Sequence, residues 1–464
     1  MLVLPPELLS LIFEFATDNP VRHIDKIVEL PAFEQVSEDE RELQRKEALQ
    51  TKYALTLTSP YFRALTARLM YEDIWIHHGA DELLSVLQKP IEGDSTSKVQ
   101  HELKNIGMYV RSISLCVKAP ETVISKTQSI LECCPYVRIF SRIVPPDLTD
   151  KEIHQLPNNI PVIENIADSF KKLHRIDWSN TLAKSVPAET RSPSFIWGLS
   201  TLRVLTLGAD NFPYVPSFFD DDDLEEDEGD DDDDEHGGNS EESRSRNNNN
   251  NNIIINLPNV HTLRISAFDA LGDPSEAEAI SKSVHLPALR RLVVGSPAGF
   301  SPLLSGILGP YTANITTVEL GFHVRFYVID GLQLALDTFP NITTLHYPIF
   351  NTIAIPKNSN WDASVNNGED GGMTRRNSYP VRFIGLSAAC TWAHGPYEPD
   401  DESSWRWMQL SEHFDSITGD GTQFTNLKTI KLYGSEWNDF LTHDPFLRLL
   451  EKISLKGINI EYPA

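Results

Sequence analysis

A short apolar pattern recurs along most of this chain and limits the folds open to it. The pattern is Φ-x-x-Φ-x-Φ, where Φ is an apolar residue, and a partial copy has Val137 and Phe140. Residues two apart in a strand share one face, so each copy predicts a short strand with one apolar face. The ten full copies are Val110/Ile113/Leu115, Leu173/Ile176/Trp178, Leu202/Leu205/Leu207, Val260/Leu263/Ile265, Leu289/Leu292/Val294, Ile315/Val318/Leu320, Ile342/Leu345/Tyr347, Val381/Ile384/Leu386, Leu427/Ile430/Leu432 and Leu450/Ile453/Leu455.

The copies are spaced evenly enough to indicate a structural repeat. The first apolar positions lie 29 residues apart from Leu173 to Leu202 and 27 apart from Ile315 to Ile342. One strand with its return segment cannot bury an apolar face alone, so stacked units must share one core. Return segments such as 301–308 and 331–339 have helical apolar content. The pattern therefore predicts an α/β fold with a parallel sheet.

Residues 100–464 resemble an irregular leucine-rich-repeat domain, because the spacing falls in that family's range of roughly 20 to 29 residues. The regular family places Asn or Cys after each strand, whereas this chain has Lys118, Asp210, Phe268 and His323 there. The resemblance implies a solenoid with a parallel sheet but without a regular asparagine ladder. A plain α/β domain whose strands match the pattern by chance is the alternative.

Two helical blocks precede the repeats. The first spans residues 4–15, where Pro5 and Pro6 suit a first helical turn because proline has no donor to lose there. An apolar stripe at helical spacing follows, and further apolar residues lie beside it. A helix with so much apolar surface needs a partner on a second side. The stripe is Leu8, Leu11, Ile12 and Phe15, and the flanking apolar residues are Leu4, Leu9 and Phe13.

The second block spans residues 55–76, and Ser59-Pro60 is a helix start signal within it. In order, the blocks read Leu-Pro-x-Glu-Leu-x-x-x-Ile-Phe, then Leu-x-x-x-Ser-x-x-Phe-Arg-x-Leu, then Leu-x-Tyr. Together they resemble the F-box of F-box-like proteins from mushroom-forming fungi. A compact F-box has a much shorter connection than the insert at residues 19–53. The insert ends in a charged helical stretch from Ser37 to Lys52, which begins with a capping box.

The F-box resemblance implies that the N-terminal block binds a Skp-type adaptor and, through it, a cullin complex. An ordinary N-terminal helical hairpin is the alternative. The residues at the family's motif positions are Leu4, Pro5, Glu7, Leu8, Leu11, Ile12, Phe13, Ser59, Phe62, Arg63 and Leu65. The predicted organisation is an F-box-like helical domain at 1–76, a leucine-rich-repeat-like domain at 100–464 and a disordered acidic and Asn-rich insert at 220–252.

Composition narrows the possible partners. The net charge is −26, and sixteen acidic residues lie between Asp220 and Glu242. A net negative charge of this size repels the phosphates of nucleic acids, so we expect no nucleic-acid partner. No run approaches the length of a membrane span, and the four cysteines show no disulfide or metal-ligand spacing. We therefore expect a cytoplasmic or nuclear protein with no membrane partner.

We find no catalytic or nucleotide-binding motif in the sequence, and we expect neither an enzyme nor a cofactor. The residues between the apolar pairs should point away from the core and bind a target protein. Lys431, Lys452 and Lys456, in the last two copies, predict a basic patch late in the repeats. The predicted target-binding residues are Arg264, Arg291, Glu319, His346, Lys431, Tyr433, Lys452 and Lys456, with Arg175, Asp177 and Phe383 as further large outward side chains.

The favoured function is therefore the substrate-recognition subunit of a Skp–cullin–F-box ubiquitin ligase. In this interpretation the chain holds a target near a ubiquitin carrier, and other subunits carry out the transfer. A non-ligase interaction scaffold is one alternative. An acidic histone-binding protein that acts through residues 220–242 is the other.

Overall fold

The structure, a computed structural model, describes residues 4–17, 32–33, 37–76, 79–88, 105–116, 121–143, 172–178, 196, 199–207, 255–265, 284–294, 308–321, 331–349, 378–388 and 405–463. The acidic and Asn-rich insert predicted at 220–252 lies outside these residues, as do residues 19–31 between the two N-terminal blocks. None of the helices within the described ranges is both long and apolar enough to cross a membrane.

The described α-helices lie before strand β3 and after strand β10, and the strands extend from residue 73 to residue 461. The helices are α1 (Pro6–Ala16), α2 (Ser37–Thr58), α3 (Pro60–Met70), α4 (Ala80–Leu87), α5 (Glu121–Glu132), α6 (Gly331–Thr338), α7 (Trp405–Thr418), α8 (Trp437–Phe440) and α9 (Asp444–Leu455). The strands are β1 (Asp73–Ile76), β2 (Ser112–Cys116), β3 (Ile139–Ile143), β4 (Arg175–Trp178), β5 (Val204–Leu207), β6 (Ile255–Asn256), β7 (Thr262–Ile265), β8 (Val284–His285), β9 (Arg291–Val294), β10 (Thr317–Leu320), β11 (Thr344–Pro348), β12 (Phe383–Ser387), β13 (Thr429–Tyr433) and β14 (Asn459–Glu461).

Twelve of these strands form one parallel sheet and follow one another in chain order. The order is β1-β2-β3-β4-β5-β7-β9-β10-β11-β12-β13-β14, while β6 and β8 pair separately. Parallel neighbours need a crossover between them. Within the described chain, helix α5 lies between β2 and β3, and helix α6 lies between β10 and β11. The predicted α/β class with a parallel sheet is confirmed.

The apolar repeat explains why the strands align. Nine of the ten predicted copies coincide with strands, and the partial copy is β3. Equivalent apolar positions lie side by side on neighbouring strands; for example, Ile113 pairs with Phe140 and Leu345 with Ile384. Their side chains are fully buried in one continuous core. A one-residue slip of any strand would turn its apolar pair away from that core, which fixes the register.

The tenth predicted copy is wrong. Leu450, Ile453 and Leu455 lie on helix α9, where the first two are buried and Leu455 is exposed. The spacing of three residues also places two side chains on one helix face, so the pattern alone does not separate the two structures. Pro445 at the start of α9 favours the helix. The last strand is β14, whose buried residue is Ile460.

The sheet also begins earlier in the chain than predicted. Tyr71, Ile74 and Ile76 have the repeat spacing, and Ile74 pairs with Ile113 in the neighbouring strand. Strand β1 thus belongs to the sheet although it lies within the predicted N-terminal segment 1–76. The helical block and the sheet are continuous at this point.

Two contacts fasten helix α2 to the start of the sheet. Lys52 Nζ lies 3.0 Å from Glu72 Oε1, and both side chains are buried. Arg45 Nε lies 3.3 Å from Asp73 Oδ2, and the guanidinium stands 5.1 Å from the ring centre of Trp75. Helix α2 starts at Ser37 as predicted but continues to Thr58, six residues beyond the predicted end.

A continuous series of backbone hydrogen bonds crosses the sheet at the N-terminal ends of its strands. The residue directly before each strand donates its N–H to the carbonyl of the equivalent residue one strand earlier, at 2.8 to 3.0 Å. We call this series the edge ladder. Its members are Glu72, Arg111, Arg138, His174, Arg203, His261, Arg290, Thr316, Thr343, Arg382 and Lys428.

Candidate interaction surfaces

Helix α1 presents an apolar face to solvent. Five large apolar side chains here are between 44% and 76% exposed: Leu8, Leu11, Ile12 and Phe15 on the helix, and Leu4 two residues before it begins. Pro5 and Glu7 beside them are exposed too. A cluster of large apolar side chains left in water on one helix marks a binding surface. We call these five residues the α1 face.

Three other residues of the predicted adaptor site, Phe13, Ser59 and Phe62, have packing or capping roles. Phe13 is buried, and its ring centre lies 4.9 Å from that of Phe62 on α3. Ser59 caps α3, because its Oγ accepts the backbone N–H of Phe62 at 3.1 Å. Arg63 is exposed and Leu65 is half-buried. The predicted site therefore divides into a solvent-facing α1 face and a contact that holds α1 against α3.

The second surface is the side of the sheet opposite the apolar core, which we call the outer face. On β4 it carries Asp177, a partly buried carboxylate with several donors around it. Asp177 Oδ2 accepts from Arg175 Nε at 2.7 Å and Ser141 Oγ at 3.2 Å, and Oδ1 accepts from Thr206 Oγ1 at 2.7 Å. Burial alone would raise the pKa of Asp177, but Arg175, Thr206 and Arg264 together lower it. Asp177 therefore serves this network as an anion.

Further along the outer face, the chain's own Phe33 is inserted into the sheet surface. Phe33 is 5% exposed, and its backbone N–H donates to Glu319 Oε1 on β10 at 2.9 Å. The other oxygen, Oε2, accepts from Arg291 Nη2 on β9 at 2.6 Å. A side chain from the segment between the N-terminal blocks thus reaches residues predicted to bind a target.

Aromatic rings surround the Phe33 side chain. Its ring centre lies 5.9 Å from that of His346 and 5.4 Å from that of Tyr433, with edge-to-face geometry in both pairs. Such pairs stabilise beyond the area they bury. Phe383 flanks His346 at 5.6 Å between ring centres. Together with the Glu319–Arg291 pair, these residues form what we call the Phe33 pocket.

Gly385 makes room for this arrangement. A methyl group built on Gly385 would lie 2.1 Å from Nδ1 of His346 and 2.8 Å from Cε2 of Tyr433. Both distances are far below van der Waals contact, so any larger residue would displace the two rings. The strand needs glycine here because neighbouring side chains occupy the space above its backbone.

The rings of the Phe33 pocket are uncharged near neutral pH. Burial lowers the pKa of His346 to about 3, and the positive charges of Arg291 and Lys431 act in the same direction. Burial also raises the pKa of Tyr433 to about 12, with a contribution from Glu319. The pocket therefore offers neutral aromatic walls and one paired carboxylate.

The predicted basic patch late in the repeats is wrong. Lys431 is on the outer face and lies 3.7 Å from Glu461. Lys452, in contrast, is exposed on helix α9, and Lys456 caps its end. Lys456 Nζ donates to the carbonyl of Thr418 at 2.8 Å. The two lysines were assigned to the sheet because the tenth copy was mistaken for a strand.

A different basic surface lies on the edge ladder. Six of its members are Arg or Lys, two are His, and Arg203, Arg290, Arg382 and Lys428 are exposed. Burial and the charge of Arg138 one strand away lower the pKa of Arg111. Neighbouring strands lie about 4.8 Å apart, so these cations form a closely spaced row. Sequence reasoning missed the row, although its signal is visible as a basic residue after the first apolar position of most copies.

Sequence reasoning also missed Phe33. Leu30, Ala32 and Phe33 are among the apolar residues of the insert, and such residues indicate that part of the insert packs on something. No spacing rule connects that run to strands almost 300 residues away. Among the described residues, no group of three or more potential ligands forms a metal site.

Comparison of the chain with protein-family models and with curated protein sequences gave no match.

Proposed function

We propose that this chain is the substrate-recognition subunit of a Skp–cullin–F-box ubiquitin ligase. In this proposal the α1 face binds the Skp-type adaptor, and the sheet belongs to an irregular leucine-rich-repeat solenoid whose outer face binds the target. The chain itself contributes no catalytic group; it brings the target close to a ubiquitin carrier held by other subunits. It would act in the cytoplasm or the nucleus.

The α1 face is the observation that supports this function most directly. All of its side chains except Phe15 lie at positions where the F-box resemblance places adaptor contacts, and they are exposed to solvent in the described chain. The sheet adds support for the second half of the proposal. Strands in chain order, one per repeat and in a common register, are what a leucine-rich-repeat solenoid requires.

The test is co-purification of the full chain with a Skp adaptor. The unaltered chain should bind it, and Leu8→Ala with Ile12→Ala should weaken the complex. Complete burial of such a side chain contributes roughly 1.5–3 kcal/mol, and both are already about half buried. We therefore expect a loss of about 2–3 kcal/mol, or about a hundredfold in affinity.

Leu447→Ala with Leu455→Ala is the matched control, because these leucines are exposed on helix α9, away from the α1 face. This variant should bind the adaptor as the unaltered chain does. If the unaltered chain fails to bind while its circular dichroism shows a folded protein, the ligase function is wrong. Equal losses in both variants would instead indicate nonspecific apolar binding.

A further inference from the structure

We propose that the Phe33 pocket is the site that recognises the target, and that its ligand is a peptide segment presenting a phenylalanine-like side chain. Phe33 of the chain itself occupies this site as an internal competitor. The inference rests on the proposed function only in calling the ligand a target of the ligase. The pocket's preference for an aromatic peptide can be tested without any adaptor.

The backbone of Phe33 supports a ligand-like role. Its φ is +59°, a left-handed conformation that is uncommon for a residue other than glycine and strained for a bulky one. Such strain persists only where surrounding contacts hold it, and it concentrates at ligand clamps and switches. Here the hydrogen bond to Glu319 and the two ring contacts hold it.

The contacts define the chemistry of an incoming ligand. Glu319 accepts a main-chain N–H, which any peptide residue except proline can offer. The neutral rings of His346 and Tyr433 favour an apolar aromatic edge or face. An acidic side chain would meet the Glu319 carboxylate in a desolvated site. The pocket therefore selects a phenylalanine-like residue at one position and reads the backbone beside it.

The experiment uses a labelled synthetic peptide of residues 29–37 as the probe and fluorescence anisotropy as the readout. The probe is added to the full chain and to its Phe33→Ala variant. A tethered competitor has an effective concentration in the millimolar range, so the unaltered chain should bind the peptide at least about tenfold more weakly than the variant. A peptide with alanine in place of Phe33 should bind neither protein.

Two further variants separate the pocket from unspecific effects. Phe15→Ala removes an exposed phenylalanine on α1 and is the matched control; it should bind the peptide as weakly as the unaltered chain. Glu319→Gln, made together with Phe33→Ala, should weaken peptide binding about threefold or more, since it removes the charged acceptor. Should Phe33→Ala fail to fold, Phe33→Leu removes the ring contacts and leaves a weaker competitor, so this variant should still bind the peptide more tightly than the unaltered chain.

Absence of peptide binding to a folded Phe33→Ala or Phe33→Leu protein would show that Phe33 only packs the sheet, and the proposal would fail. Binding that is equal for the phenylalanine and alanine peptides would also overturn it. Adaptor binding should be unchanged in both variants. The adaptor test can therefore fail while peptide binding is observed, and peptide binding can fail while the adaptor still binds.

A second inference rests on the edge ladder: the structure assigns it as a binding site for an extended acidic peptide. The main sheet has ten neighbouring strands from β2 to β13. An Arg, Lys or His member of the edge ladder precedes eight of them, and a threonine precedes the other two. Among the described residues, none of the exposed members Arg203, Arg382 and Lys428 forms an ion pair. An extended peptide advances about 6.6–6.8 Å every two residues, so an acidic segment along the row can meet several cations.

The probe is a labelled peptide of Asp220–Glu235, and the protein is the chain with residues 220–242 deleted, so that its own acidic segment does not compete. We expect saturable binding that weakens about tenfold between 0.1 and 0.5 M salt. Arg203→Glu with Arg382→Glu should abolish it, whereas Lys46→Glu with Lys452→Glu, exposed on helices α2 and α9, should not. No binding, loss in both charge variants, or tighter binding of a single-stranded oligonucleotide would overturn the assignment.

Discussion

Replacement of Lys52 by methionine should destabilise the fold by about 3–5 kcal/mol, because it removes the ammonium group from a buried ion pair. Lys52 Nζ lies 3.0 Å from Glu72 Oε1, and both side chains are almost completely buried. Glu72 is also the first member of the edge ladder, and its carbonyl accepts the N–H of Arg111 at 2.8 Å. Urea denaturation at pH 7 measures the change.

A double replacement tests the cause. With both Lys52→Met and Glu72→Met, no charge is buried, and stability should return to within about 1–2 kcal/mol of the unaltered chain. Lys126→Met is the matched exposed control, since Lys126 pairs with Asp81 at the surface and should contribute less than about 1 kcal/mol. A loss below about 1 kcal/mol for Lys52→Met would mean that the pair does not hold helix α2 on the sheet.

Acidification from pH 7 to pH 5 should destabilise the protein by about 4 kcal/mol through two buried histidines alone. Burial lowers the pKa of His346 to about 3 and that of His413 to about 4. Both values lie below the ordinary value of 6.5, so the unfolded chain takes up protons first as the pH falls. The stabilisation is therefore complete above pH 6.5 and is lost below it, by about 1.4 kcal/mol per pH unit for each histidine.

The measurement is urea denaturation at pH 7, 6 and 5 for the unaltered chain and two variants. His413→Gln keeps a hydrogen-bonding partner for the hydroxyl of Tyr347, which lies 2.7 Å from Nε2, and removes the titrating group. It should reduce the pH dependence by about half. His285→Gln, at an exposed histidine, should leave it unchanged. Equal pH dependence in all three proteins would show that carboxylates, and not the histidines, control acid stability.

The local repeat carried the prediction of the sheet. Pairs such as Leu263/Ile265 and Ile430/Leu432 alternate with polar neighbours, and residues two apart can share an apolar face only in an extended strand. Apolar residues three apart do not distinguish a strand from a helix. Leu450 and Ile453 satisfy a helix equally well, so α9 was mistaken for a strand, and the copy with Ile74 and Ile76 was overlooked within the helical block.

The sequence by itself determined the α/β class, the register of nine strands, and the helical nature of residues 6–16 and 37–52. These properties depend on side chains a few positions apart, whose shared face follows from backbone geometry. Only the tertiary structure placed Phe33 on Glu319, 286 positions away. Contacts between segments so distant depend on how the whole sheet stacks, and no local spacing in the chain encodes them.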